Sequence, residues 1–394
     1  MSNYMKNIKL NYLFLVKDIN ITQGIWMLYL ASKGLSLVAI GSLEAVFHIT
    51  SFLMETPTGV VADLFGRKIS RLIGVIIAII SSFVMIAAQG YGGFAVAFAL
   101  SALSYNFESG ANEAFIYDSL LVEGQSHTFM AVTSKYEVLF HSVMLVGLLL
   151  GGILGNIEYH WVYYAAITFS AMGLFVGFFF KEPPISDKND DQNPQGILPA
   201  MVKQYKDSFS VVKGSPRLTY LIVFTSTIMS ATTLTFYYIQ LSFTDIGYSP
   251  LQVGLSLVVT SLAAIGGAAY AKKAHARLGE QKLIVGVAFT ISLSVALCAF
   301  TRFALIPLSI ILFAEALLFV ATRDYINKLI PSSKRATLLS FDSMVFSFSM
   351  IVLFPLFGWV ADRASLPIAF LALGGVLILF SLAGALVHTK PLNE

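Results

Sequence analysis

The chain has 394 residues, of which 57% are hydrophobic and only 12% charged, with a mean hydropathy of +0.77 and a formal net charge of +3. A water-soluble domain carries about 25% charged residues, so this composition excludes an ordinary soluble protein and places the chain in a lipid bilayer; no nucleic-acid partner is expected. The single cysteine, Cys298, lies inside an apolar run, which leaves no disulfide framework and no thiolate metal site.

Lys6 and Lys9 precede the first apolar run and mimic a signal peptide, but no small-residue cleavage site follows, so this run is read as a retained first span. Apolar runs bounded by Gly, Pro or charge predict twelve spans, near 10–31, 37–58, 70–90, 93–119, 128–155, 160–180, 218–241, 250–271, 282–301, 304–326, 337–361 and 366–388. With no water to satisfy the backbone, these must be helices, and the chain length suits twelve segments of ~20 residues with short connections. The odd-numbered connections hold only Lys33, Arg302 and Arg363; apart from Lys17 inside the first span, every other Lys and Arg falls in an even-numbered connection, a terminus or an adjoining helix end. Positive charge stays in the cytoplasm, so both termini are expected there. Residues 181–217 are polar, basic and Pro-containing, and they divide the spans six and six. The expected domains are therefore 1–180, a linker over 181–217, and 218–394. Met201 to Val212 within the linker suits either an amphipathic surface helix or a plain connection.

Between the second and third spans runs Gly59-Val60-Val61-Ala62-Asp63-Leu64-Phe65-Gly66-Arg67-Lys68, with Arg71 one turn further on. Glycine permits a tight turn and close helix approach, and Asp63 and Arg67 suit charges or helix ends on neighbouring segments. The pattern G-x-x-x-D-x-x-G-R-K resembles the loop between helices two and three of the major facilitator superfamily of transporters. That resemblance implies an all-α membrane protein of twelve transmembrane helices in two six-helix bundles. It also makes Gly59, Asp63, Gly66, Arg67, Lys68 and Arg71 a cytoplasmic gate, with Asp63 accepting hydrogen bonds from the start of helix eleven. The halves echo each other: Ala114-Phe115-Ile116-Tyr117-Asp118-Ser119-Leu120, leading into Ala131 and Ser134, sits where Arg323-Asp324-Tyr325-Ile326-Asn327-Lys328-Leu329, leading into Ser340 and Ser343, sits in the second half. The second-half counterpart of the loop motif keeps Lys272, Lys273, Arg277 and Gly279 but lacks a carboxylate.

Ionisable side chains deep in a bilayer cost several kcal/mol, about 2.5 or more each, so each needs a reason. In the second span Glu44, His48, Ser51 and Glu55 fall within about 60° of one another at ~100° per residue, a polar stripe suited to a water-filled cavity or to a structural network. The fourth span carries Asn106, Glu108, Asn112, Glu113 and Asp118, with Glu108 near its middle. Asp18 in the first span, the i, i+4 pair Glu137 and His141 in the fifth, and Glu315 in the tenth complete the set, although Lys17 beside Asp18 suits simple neutralisation. Desolvation raises the proton affinity of a buried carboxylate, so Glu108, Glu113, Glu44, Asp18 and Glu315 are the proton-coupling candidates. Glu108 and Glu113 lead because no compensating base is near them in sequence. Gly147, Gly151, Gly152 and Gly155 in the fifth span let helices approach closely. In the seventh span Thr225, Thr227, Ser230, Thr232, Thr233, Thr235, Tyr237, Tyr238 and Gln240 suit a substrate cavity or a membrane boundary. His48, Asn106, Asn112, Glu137, His141, Thr233, Tyr237 and Tyr238 are thus the cavity candidates. The superfamily's drug exporters often carry an arginine in helix four and a proline beside the helix-five glycines; both are missing here.

No nucleotide-binding loop, H-E-x-x-H or paired CxxC occurs. The expectation is a secondary active transporter, not an enzyme and without cofactor. It would act as a monomer in the cytoplasmic membrane, moving a small organic, amphipathic substrate by alternating access and exporting it against a proton gradient. A proton-coupled importer or uniporter is the rival in the same class, and a receptor or lipid-modifying enzyme on the same fold is the rival from another.

Overall fold

A computed structural model describes residues 3–184, 216–329 and 335–389, and among them the chain is helical with no strand. The helices are α1 (Asn3–Phe14), α2 (Trp26–Ser32), α3 (Leu37–Phe65), α4 (Arg67–Ala87), α5 (Tyr91–Glu108), α6 (Ala111–Val122), α7 (Phe129–Ile157) and α8 (Tyr159–Phe178). They continue as α9 (Pro216–Asp245), α10 (Pro250–Leu278), α11 (Glu280–Leu297), α12 (Leu305–Leu329), α13 (Arg335–Arg363) and α14 (Leu366–Thr389). Among the described residues nine helices are long and apolar enough to cross a membrane. The first and fourth expected spans are broken, and the ninth is represented among the described residues by the apolar helix Lys282–Leu297. The 201–212 segment, and the side chains of Arg323, Asp324, Asn327 and Ser340 in the second-half echo, lie outside the described residues.

The chain forms two compact units, one of Met1–Tyr29 and Val46–Met201, the other of Leu30–Ala45 and Val202–Glu394. The first nine residues of α3, with the end of α2 and the turn between them, thus count with the second unit, which no sequence pattern indicates.

The expected first span is not one helix. α1 ends at Phe14, a 3-10 turn covers Leu15–Asp18, and regular helix resumes only at Trp26. Asp18, Asn20 and Thr22 offer side chains that compete with helical backbone bonding; Thr22 Oγ1 donates to Asn20 Oδ1 at 3.1 Å. The unwound stretch fits because the neighbouring helices have no side chains there. A Cβ at Gly147 would lie 2.9 Å from the Asn20 backbone, one at Gly155 2.9 Å from Ile25, and one at Gly151 would run into the Ile21 carbonyl oxygen. The glycine run of α7 therefore packs closely, as expected, but against a broken helix. Gly151→Ala should cost about 1–3 kcal/mol by overpacking, read as a lower thermal midpoint in detergent, whereas Gly92→Ala, which has open space beside it, should be neutral.

The fourth span breaks at Ser109-Gly110, where Gly110 has φ +73°. Only glycine adopts that conformation without a Cβ penalty, so α5 stops at Glu108 and α6 starts afresh.

In the second unit α9 is the most enclosed span, with 67% of its apolar window buried. Five of its hydroxyls bond within the helix: Thr225, Ser230 and Thr235 each donate 2.8 Å bonds to the carbonyl four residues back, and Thr227 and Thr233 do the same at 2.7 and 3.1 Å. A hydroxyl bonded this way is tolerated in an apolar interior, so the polarity of this span is not by itself a cavity signature.

Candidate functional site

Both helix breaks of the first unit adjoin one cluster of four charges. Lys17 Nζ lies 2.6 Å from Asp18 Oδ1 and 3.6 Å from Glu108 Oε2, and Arg71 Nε lies 3.4 Å from the same Glu108 oxygen. Two cations meet two anions, so the group is neutral as a whole. Glu108 is the last residue of α5, where a negative charge opposes the helix dipole; the two bases offset that cost. The expectation that Glu108 lacks a compensating base is therefore corrected. α4 packs beside α5 and delivers Arg71 from 37 residues away, and the end of the first helix delivers Lys17. Arg71 is also not a loop residue: its side chain is fully buried within α4. Its guanidinium lies 4.6, 5.1 and 5.3 Å from the ring centres of Phe14, Phe180 and Phe115, so aromatic faces surround the cation.

The loop motif forms a second set. Asp63 accepts a 2.6 Å bond from Arg67, whose Nε is also 3.8 Å from Asp118. The start of α4 is capped by a residue that sequence reasoning missed: Glu182 accepts the Arg67 and Lys68 backbone N–H groups at 2.7 and 2.8 Å. Burial pushes its carboxyl up from the ordinary carboxylate value, against the pull of those two amide donors. Gly66 has φ +100° and touches this carboxylate so closely that a Cβ would lie 2.6 Å from Glu182 Cδ. Lys68 Nζ donates to the Phe178 carbonyl at 3.0 Å, and Asn7 pins Lys181 through two bonds of 2.8 and 2.9 Å. Gly59 has open space beside it, so no described contact requires glycine there. The partner expected for Asp63 at the start of helix eleven lies outside the described side chains.

The stripe on α3 meets α5. Ser51 Oγ donates to Asn106 Oδ1 at 2.7 Å and Asn106 Nδ2 returns a 2.6 Å bond to the Ser51 carbonyl, so buried Asn106 is committed to holding two helices together. His48 is only 7% exposed and packs edge-on to Phe47, while Glu44 and Glu55 are half-buried. Asn112 accepts from Asn11 at 3.2 Å. Glu113 is exposed in the first turn of α6, and Glu137 and His141 form a 3.9 Å pair with 63% and 69% side-chain exposure.

In the second unit Glu315 accepts a 2.5 Å bond from Thr232, and no Lys or Arg among the described residues lies within ion-pair distance of it. Asp342, unmarked in the sequence reading, accepts from Ser226. Thr233 and Tyr237 are half-buried, Tyr237 packing its ring on Phe354. Tyr238 is fully enclosed, with its hydroxyl 3.0 Å from both the Leu37 and the Phe354 carbonyl oxygens. It ties helices together instead of lining a cavity, a correction that follows from its position on the inner face of α9.

Apolar spanning helices, buried charges grouped at helix breaks and the glycine-carboxylate-basic loop define a multi-pass membrane transport protein. The chain belongs to the Major Facilitator Superfamily, whose family model matches residues 12–314. It is 23% identical over 367 residues to the MFS-type transporter YxaM of Bacillus subtilis (strain 168), itself uncharacterized, across 90% of this chain and 88% of that protein. Solved structures share the fold: the nucleoside transporter NupG (TM-score 0.78, 14% identity, 99% of this chain and 100% of that one) and a D-xylose-proton symporter (0.70, 14%, 97% and 96%).

Proposed function

We propose that the protein is a proton-coupled secondary transporter that exports a small amphipathic organic compound across the cytoplasmic membrane by alternating access. The Lys and Arg distribution supports cytoplasmic termini and a cytoplasmic motif loop. The observation that carries proton coupling is Glu315, a carboxylate inside a spanning helix whose described partner is a hydroxyl and not a cation. An uncompensated charge there is costly and a proton removes that cost. By contrast Glu108 has two bases, and Asp18 has Lys17. Asp18, Glu44 and Glu113 follow Glu315 as alternatives. The substrate class rests on the exposed side chains of α5 to α7, which combine Tyr105 and Tyr117 with Glu113, Glu137 and His141. Charged groups on membrane helices face water instead of lipid, and tyrosines beside carboxylates suit an aromatic, cationic amphiphile.

The test is transport by purified protein in proteoliposomes under an imposed pH gradient, with a panel of aromatic organic cations. Substrate flux should run opposite to proton flux. Flux in the same direction as protons would replace export by symport, and flux indifferent to pH would leave a uniporter. Binding without any flux would sink the transporter reading in favour of a receptor.

A further inference from the structure

α9 is enclosed almost all round, and what it leaves open is one narrow strip. From Ile228 to Gln240 every residue is buried except Met229, Thr233 and Tyr237. Spaced at i, i+4 and i+8, these three form a single ridge about 12 Å long. A surface turned to lipid is apolar, as on α13, whose exposed large residues Phe348, Val352, Leu356 and Trp359 fall on one stripe. The ridge of α9 instead offers a thioether, a hydroxyl and a phenol, groups that suit an aromatic ligand.

A carboxylate stands at one end of that ridge. α9 and α13 run side by side in register: Ser226 bonds Asp342, Ser230 bonds the Phe346 carbonyl and Tyr238 bonds the Phe354 carbonyl, each pair 116 residues apart. Ser226 continues the line of the ridge by one turn, and its hydroxyl donates to Asp342. Asp342 is half-buried and lies about 85° round α13 from the centre of the apolar stripe. No Lys or Arg among the described residues lies within ion-pair distance of it. Its position differs from that of Glu315. Glu315 is the eleventh residue of the apolar stretch Leu305–Thr322, whereas Asp342 is the second of Phe341–Arg363. Near a helix end a carboxylate is cheaper to keep ionised than at the centre, so Asp342 can hold a negative charge for a ligand.

We infer that Asp342 is the residue that selects for positive charge in the substrate: its carboxylate holds a cationic head group, and the aromatic body lies along Met229, Thr233 and Tyr237. From Ser226 to Tyr237 is about 16 Å along the helix, the length of an elongated amphiphile with one charged head. The inference deepens the transporter reading and rests on it, and its orientation puts the head toward the cytoplasm. Asp342, Ser226 and the ridge all belong to the second unit, so the arrangement is complete within that unit.

The test is equilibrium binding to the purified protein of phenylhexyl-trimethylammonium and of its neutral isostere, in which carbon replaces the nitrogen. Asp342→Asn should weaken binding of the cation about tenfold, the effect of losing one charged partner, and leave the isostere unchanged. Tyr237→Leu should weaken both compounds about threefold, because the ring contact is blind to charge. Equal effects of Asp342→Asn on the two compounds, or no effect on either, would overturn the inference. If Asp342→Asn does not yield folded protein, Met229→Cys in a Cys298→Ser background decides. Relative to a free thiol it should react about tenfold faster with a cationic than with a neutral thiosulfonate of the same size, and equal rates overturn the inference. No saturable binding of the cation by the parent protein would overturn it together with the cationic substrate class, and would leave transport of another class standing. Binding as expected with no flux in vesicles would remove only the transport reading.

Discussion

Replacing Glu315 by Gln should abolish gradient-driven accumulation while sparing substrate binding and equilibrium exchange. Glutamine reproduces the shape and hydrogen bonding of a protonated carboxyl but has no proton to release, so the site is locked in one of its two states. Thr232 Oγ1 donates to Glu315 Oε1 at 2.5 Å; a glutamine oxygen accepts the same bond, which separates loss of coupling from loss of structure. With one proton moved per substrate, a gradient of about one pH unit stores ~1.4 kcal/mol and supports about tenfold accumulation. The variant should show none, while counterflow of labelled against unlabelled substrate proceeds at close to the parent rate. Full accumulation by Glu315→Gln would move the proton site to Asp18, Glu44 or Glu113. Thr232→Val should give an intermediate result, because it removes the hydroxyl and leaves the carboxyl.

Breaking the charge cluster of the first unit should be felt as stability. Arg71→Met leaves Glu108 at a helix C-terminus with only Lys17, 3.6 Å away, and removing one partner of a buried pair costs about 3–5 kcal/mol. Some of that loss belongs to the three phenylalanine rings around the guanidinium, each contact being worth about 0.5–2 kcal/mol. A double-mutant cycle separates the two. Arg71→Met with Glu108→Gln should be more stable than the sum of the single changes implies, by about 1–3 kcal/mol, if the ion pair dominates. Strict additivity in thermal unfolding would mean that Arg71 acts through its rings alone. Transport by Glu108→Gln should survive in proportion to folded protein, in contrast to the all-or-none effect at Glu315.

The two sites differ in how far each was visible beforehand. Glu315 and Glu108 both appear in the sequence as carboxylates inside apolar runs, and nothing local distinguishes them. Local pattern reports what a residue is and which face of a helix it shares, but the counter-ion comes from another helix. Arg71 reads as the tail of a loop motif, yet one turn of α4 carries it among Phe14, Phe115 and Phe180. Asn106 and Tyr238 reads as cavity groups for the same reason. A polar side chain in an apolar run signals either water or a partner, and only packing tells which.

The class, an all-helical membrane protein, was legible because lipid leaves few choices. Apolar runs of this length with no water must close their own backbone bonds as helices, and the G-x-x-x-D-x-x-G-R-K loop carries enough specified residues to indicate the superfamily. Gly66 was marked by the loop motif, and the structure places it at positive φ, whereas Gly110, also at positive φ, breaks a span that reads as continuous. The break in the first span was hidden, because the glycines that make room for it are on α7, far along the chain. The bonds from the Leu37 and Val38 N–H groups to the Asp362 carboxylate, at 2.9 and 2.8 Å, were hidden too, because donors and acceptor lie far apart in the chain. Hydropathy and short motifs are properties of one segment at a time, so they determine which segments enter the membrane and what family they form. Which charge is neutralised, which helix is unwound and which end is held depend on side chains brought together from distant segments, and the tertiary structure alone decides them.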